Sequence, residues 1–327
     1  MTLPAVADYS HHPQVPQLLQ TLQTEHGFSR PELDAVVRDL ASANKVPRLI
    51  EAEQNAAEKT ETWTTYETKR VDRTRILRGV AFLKEQQEWL AQAEADYGVP
   101  PAVVAGVLGL ETNYGRWTGN SRVLDALATQ GFDHPSRTPF FFNELVEFFV
   151  FCRDYGIQPM TVKGSYAGAM GWAQFMPSNY RRLAVDFDGD GRRDLWSAPD
   201  AIGSIAHYLV AYDPARRWQP GQPLVVPARI GGDLPPTVTV NGKAADMTAA
   251  QLQRAGVQTE VPLPANTPVG LIRLERDEGP EYWVGLSNFY SIMSYNPRVY
   301  YAMTVTRLAT EMEAELARNA TNGDKKR

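Results

Sequence analysis

The residues Gly106–Gly115, "GVLGLETNYG", set one carboxyl among apolar and small side chains. An unpaired carboxylate in such surroundings is costly, so a buried Glu tends to keep its proton and titrate high. A carboxyl still protonated near neutral pH is what general acid catalysis requires. Just upstream, "GVPP" (Gly98–Pro101) ends one helix and opens the next. Val103, Val104, Val107, Leu108 and Leu110 make that second helix apolar almost all round, the character of a central core element. Glu111 falls in its last turn, and Asn113 and Gly115 supply the stop.

Working outward, Arg73–Tyr97 carries Ile76, Leu77, Val80, Leu83, Trp89, Leu90 and Ala93 at helical spacing and predicts one long amphipathic helix. The chain before about Glu67 is polar and helix-forming, with Ser29 as an N-cap and Pro31 in the first turn of a helix. Further helices are expected at Arg122–Gln130, Pro139–Tyr155, Pro177–Ala184 and Asp200–Tyr212. After Asp213 the texture changes to strand runs broken by Pro and Gly, among them "TVTVNGK" with a hairpin-like Asn241-Gly242. "MTAAQLQRAG" reads as a short helix and "VGLIRLERDEGPEYWVGL" as two strands; from about Asn288 the chain returns to helix. The expected fold class is mainly α (α+β), a helical protein with a small β-containing insertion. Its divisions are expected at 1–75, 76–215, 216–285 and 286–327.

Composition limits the function. Of 327 residues, 43% are hydrophobic and 22% charged, as in ordinary globular proteins, and the net charge is −5 with both signs interspersed. Nucleic acid is therefore not an expected partner. The 14 Tyr and 7 Trp gather around the motifs below and suit a carbohydrate groove. The single cysteine, Cys152 in "FFVFCRDYG", excludes an internal disulfide framework and reads as a buried, inert thiol. The N-terminus "MTLPAVADYSHHPQ" has neither the basic nor the apolar region of a secretory signal, so the chain is cytoplasmic or its targeting segment has been removed.

Three more stretches carry chemistry. "SYAGAMGWAQFMPSNY" (Ser165–Tyr180) combines small residues, which let a ligand approach the backbone, with Gln174, which can donate and accept. Trp172, Phe175 and Met176 would wall a groove; the same stretch would also suit a tight packing turn. "DFDGDGRRDLWSAPD" (Asp186–Asp200) puts Asp186, Asp188 and Asp190 at positions 1, 3 and 5 of an EF-hand-like loop, Gly191 at the sharp turn and the Arg192 carbonyl at position 7. Ser197 stands where a bidentate Glu is expected, and Asp200 closes the site if the loop is longer. Oxygen-only ligands favour Ca²⁺ in a structural role. "NFYSIMSYNPRVYYAM" (Asn288–Met303) offers Tyr295, Asn296 and Tyr301 as stacking and hydrogen-bonding groups.

Together these stretches, with "YETKR" from Tyr66, "RVLDAL" and "HY" at His207–Tyr208, resemble the membrane-bound lytic murein transglycosylase B family over most of the chain from about residue 60. The resemblance implies a lysozyme-like helical core with an N-terminal helical domain. It also implies cleavage of the β-1,4 bond between N-acetylmuramic acid and N-acetylglucosamine in peptidoglycan, leaving a 1,6-anhydromuramoyl end. Glu111 would be acid and then base. Tyr66, Ser165, Gln174, Phe175, Tyr208, Tyr295, Asn296 and Tyr301 would bind substrate. So would Arg137, beside which Ser136 replaces a second arginine usual in the family. Asp186, Asp188, Asp190, Arg192 and Asp200 would form the calcium loop. The resemblance further implies a periplasmic monomer of a Gram-negative bacterium, anchored to the outer membrane through a segment this chain lacks, with glycan strands as partner and no organic cofactor. A muramidase that admits water and a non-catalytic peptidoglycan-binding protein are the alternatives.

One carboxyl can suffice for such a reaction. Glycosidases that use water generally need two. If the muramic acid C6 hydroxyl attacks instead, the nucleophile is already tethered, an advantage of up to ~7–11 kcal/mol.

Overall fold

The computed structural model describes residues 8–54 and 61–324; the N-terminal stretch read for targeting signals begins outside them. Among these residues run fourteen α-helices and seven strands, with helices on both sides of a strand-rich segment that begins after Asp213. The protein is mainly α with a small β insertion, as expected. The chain forms two compact units. One combines the described part of Met1–Ala56 with Gly115–Ala184 and Asp194–Trp196. The other combines the described part of Ala57–Tyr114 with Val185–Arg193 and the described part of Ser197–Arg327.

The first unit contains the helices Val15–Thr24, Arg30–Ala41, Arg48–Gln54, Val123–Asp133, Thr138–Asp154 and Pro177–Leu183. The expected cap at Ser29 is present as a full capping box: Ser29 N–H donates to Glu32 Oε2 at 2.7 Å, which satisfies an otherwise orphaned donor. Val123–Asp133 and Thr138–Asp154 pack along each other through buried Leu124, Leu127, Phe141, Leu145 and Phe148. Cys152 lies in this core, and burial pushes its thiol pKa up, which leaves it inert. Two short strands, β1 (Ser121–Arg122) and β2 (Lys163–Gly164), pair antiparallel.

In the second unit the helix Pro101–Thr112 is buried from Ala102 to Gly109 and packs against the long helix Val299–Asp324. A Cβ at Gly106 would stand 2.9 Å from the Val305 carbonyl oxygen, so glycine there permits the close approach. Asn113, at φ 51, ends the helix where the sequence predicts. The single helix expected over Arg73–Tyr97 is two, Arg73–Glu85 and Gln87–Tyr97, broken at Gln86. The break lets the first piece pack on Pro101–Thr112 and Val299–Asp324 while the second packs mainly on Ala198–Ala211. One straight helix could not meet both sets of neighbours.

The insertion is a five-stranded antiparallel sheet of β3 (Val225–Ile230), β4 (Met247–Thr248), β5 (Val257–Thr259), β6 (Pro268–Arg276) and β7 (Gly279–Gly285), in the order β4-β6-β7-β3-β5. Its own core holds Val226, Leu252, Val257, Leu271 and Val284. "TVTVNGK" is not a hairpin strand. Only Val240 bridges the sheet, and the Asn241 side chain pairs with Arg273 backbone, donating to its carbonyl at 2.9 Å and accepting from its N–H at 2.8 Å. That side-chain pairing takes the place of a strand ladder.

Candidate active site

Glu111 ends the apolar helix half-buried, less sheltered than its apolar neighbours suggest, because the αL turn at Asn113 brings the helix end to the surface. The phenol of Tyr301 donates to Glu111 Oε1 at 2.6 Å. Tyr301 itself is buried and belongs to the first turns of Val299–Asp324, so the packing of two helices distant in sequence makes this contact. Tyr295 lies parallel to Tyr301, with ring centroids 6.4 Å apart. Tyr208 meets Tyr295 at 4.6 Å and donates to the Ser294 carbonyl at 2.7 Å. The pKa values of Tyr295 and Tyr301 are pushed well above the usual phenol value, first by burial and then by the charge of Glu111. The other groups acting on them are phenols: Tyr208 on Tyr295, and Tyr295 and Tyr66 on Tyr301. One carboxyl thus sits among phenols that stay protonated.

Tyr66 is buried in the helix Trp63–Arg70. The Arg70 guanidinium lies 3.6 Å from its ring centroid, and Trp63 and Tyr300 flank it at 6.2 and 5.5 Å. Sequence reasoning missed Trp63, Arg70 and Tyr300; the four-residue spacing of Tyr66 and Arg70 in "YETKR" was the available signal for one of them. Asn296 follows the helix Ser287–Tyr295 as its C-cap, half-buried, and its carbonyl accepts from Arg298 N–H at 2.7 Å.

Ser165, Gln174, Phe175 and Arg137 belong to the other unit. Ser165 Oγ accepts from the N–H groups of Ala167 and Ala169 at 3.2 and 3.0 Å, so its lone pairs shape the turn and its proton remains to be offered. Gln174, at the unusual φ of 50, donates its amide hydrogens to the carbonyls of Thr118 and Gly171 at 3.1 and 2.8 Å. What remains for a ligand is its side-chain oxygen, an acceptor, rather than the donor and acceptor expected. Phe175 is buried and bridges Met170. Arg137 is exposed, its guanidinium 4.8 and 4.9 Å from the rings of Phe140 and Phe141.

The acidic loop brings Asp186, Asp188 and Asp200 together, with carboxylate oxygens all within 4.8 Å of one another. Ser197 is the N-cap of the helix Ala198–Ala211, its hydroxyl accepting from Asp200 N–H. That puts Asp200 in the first turn, where its buried carboxylate accepts from Phe187 N–H at 2.7 Å. Asp190 is outside this trio and accepts from Arg192 N–H at 2.8 Å. Oxygen ligands at about 2.3–2.6 Å around one Ca²⁺ lie up to about 5 Å apart, so the trio has a spacing calcium can bridge.

A transglycosylase SLT domain model matches residues 10–310. The chain belongs to the transglycosylase SLT domain family. It is 37% identical over 310 residues to membrane-bound lytic murein transglycosylase B of Escherichia coli K12, covering 92% of this chain and 83% of that protein. The catenated lytic transglycosylase SltB1 of Pseudomonas aeruginosa superposes with a TM-score of 0.86 at 39% identity, covering 94% of this chain and 99% of that one. Escherichia coli lytic transglycosylase Slt35, in complex with calcium, superposes with a TM-score of 0.84 at 35% identity, covering 95% and 96%. The lysozyme-like helical core expected from the sequence is the fold of these SLT-domain relatives.

Proposed function

We propose that this chain is a peptidoglycan lytic transglycosylase in which Glu111 acts first as acid and then as base. The hydrogen bond from the buried Tyr301 phenol to Glu111 carries the reading, because it fixes the one carboxyl within a group of neutral phenols. Protonated Glu111 gives its proton to the glycosidic oxygen of the β-1,4 bond as the bond to C1 of N-acetylmuramic acid breaks. The C6 hydroxyl of the same sugar closes on C1, and the Glu111 carboxylate takes the hydroxyl proton. The products are a GlcNAc 4-hydroxyl and a 1,6-anhydromuramoyl end, with no water consumed. Tethering the nucleophile removes the need for a second carboxylate.

Tyr66, Tyr208, Tyr295, Asn296 and Tyr301 would contact the sugars around the cleaved bond. Ser165 would donate and Gln174 accept toward hydroxyl or acetamido groups, Phe175 would support their turn, and Arg137 would meet a peptide-stem carboxylate. Asp186, Asp188 and Asp200 fit a structural calcium ion, which would relieve the repulsion of three adjacent carboxylates; Asp190 and the Arg192 carbonyl are the remaining candidate ligands. Murein is met in the periplasm of a Gram-negative bacterium, and among the described residues no helix is long and apolar enough to cross a membrane.

The test is mass spectrometry of sacculus digests. Wild type should release muropeptides with anhydro ends, and Glu111→Gln should release none. Reducing ends without anhydro sugar would instead mean a muramidase, and equal binding with no turnover by either form a non-catalytic binding protein.

A further inference from the structure

Trp117 is 67% exposed, more than any other large apolar side chain among the described residues. The loop that presents it is nonetheless fixed. The Thr118 carbonyl accepts from Gln174 Nε2 at 3.1 Å. Gly119, at φ 96, lies so close to the next strand that a Cβ there would be 2.0 Å from the Gly164 carbonyl oxygen and 2.6 Å from Ser165 N. Two residues on, Ser121 and Arg122 pair with Gly164 and Lys163. Trp117 is therefore held by the same backbone that shapes the Ser165–Gln174 turn. The turn carries a second exposed ring, Tyr166, 41% exposed, whose carbonyl accepts from Gln130 Nε2 at 2.9 Å.

An indole kept in water on a rigid loop contributes no burial to folding, so its apolar face is left to be covered by a ligand. Its ring face is electron-rich, and the C–H groups on the flat side of a pyranose are weakly positive, so the two stack without needing a charge. Rigidity helps, because little conformational entropy remains to be lost on binding.

We propose that Trp117, together with Tyr166 of the turn its loop is clamped to, is a saccharide-stacking site that extends recognition beyond Ser165 and Gln174 to further sugars of a β-1,4-linked N-acetylhexosamine strand. The proposal rests on the glycan-strand reading above. It makes Trp117 a determinant of strand length: short fragments do not reach it and long ones do.

Titration calorimetry of the Glu111→Gln form with peptide-free GlcNAc–MurNAc tetrasaccharide and octasaccharide tests this. Adding Trp117→Ala should weaken octasaccharide binding about three- to tenfold and tetrasaccharide binding less, and Trp117→Tyr should restore most of the loss. Circular dichroism guards against unfolding, which an exposed position makes a minor risk. Equal octasaccharide binding with and without the indole, or a loss seen only with strands that carry peptide stems, would overturn the proposal. If wild type produces anhydro ends from sacculi while Trp117→Ala matches it in KM on long strands, the stacking site alone fails. If the parent binds no oligosaccharide and wild type cuts no sacculus, the glycan reading fails with it.

Discussion

Two groups of oxygen acids in the same unit make opposite use of the carboxyl group. Near Glu111 stand the phenols of Tyr301 and Tyr295, held neutral by burial and by the charge of Glu111 itself. Around Asp200 the neighbours are two more carboxylates within 4.8 Å. A phenol that donates to a carboxylate fixes its position without supplying a counter-charge. Adjacent carboxylates repel one another, and a cation between them would relieve that repulsion. The first arrangement suits a proton and the second a cation. They differ both in the company each carboxyl keeps and in helix end, since Glu111 lies in a last turn and Asp200 in a first turn, where free N–H groups favour negative charge.

The comparison breaks first at Glu111. Glu111→Gln should cut lytic activity on sacculi by about 10²–10⁴-fold with the circular dichroism spectrum unchanged, as for loss of a general acid. A variant retaining near wild-type turnover would move the chemistry elsewhere. Tyr301→Phe removes a hydrogen bond to a charged group, about 1.5–3 kcal/mol, and should lower kcat about 10–100-fold, read from steady-state release of anhydro products. If Tyr301→Phe raised KM alone, the phenol would serve as a sugar contact only and not also as a partner of the acid.

The aspartate side is tested by heat. Calcium at about a hundred times its Kd should stabilise by about 2.7 kcal/mol and raise Tm by roughly 4 °C, an increment that a chelator and Asp200→Asn should each remove. A Tm indifferent to calcium would leave the trio a solvated acidic turn. Finally, Glu315 serves as a third case, a carboxylate answered by fixed cations. It accepts from Arg73 at 2.7 and 2.8 Å and from Arg318 at 2.8 Å, and these bonds hold its pKa at about 2, below the ordinary 4.5. A pKa lowered by folding contributes stability above the unfolded value and loses it as pH falls toward the folded one. The Tm difference between wild type and Glu315→Gln should therefore be widest near neutral pH and close between about pH 5 and pH 2. A gap that stayed constant with pH would mean packing, not charge, sets the contribution of Glu315.

Much of this was legible in the chain. The stop at Asn113 and the cap at Ser29 rest on a few adjacent residues whose chemistry is local. That Asp200 would join Asp186 and Asp188 was legible from its place three residues past Ser197, opening the next helix. The break at Gln86 was not, because Glu85 and Gln86 favour helix and only the packing of the two halves on different neighbours demands the bend. "TVTV" has every local mark of a strand, yet the Asn241 side chain takes over the backbone groups of Arg273. The amide of Gln174 was read as free to recognise a ligand, but the carbonyl of Thr118, distant in sequence, already holds it.

The sequence by itself determined most of the helices, the place of Glu111 at the end of the most apolar of them, and the spacing of aspartates in one loop, because each depends on residues a few positions apart. Only the tertiary structure decided that Tyr301, far along the chain, would supply the hydrogen bond to Glu111. It likewise decided that an indole would stand in solvent on a loop clamped from behind. Contacts of that kind are chosen by which helix faces pack together, and no local run of residues encodes that choice.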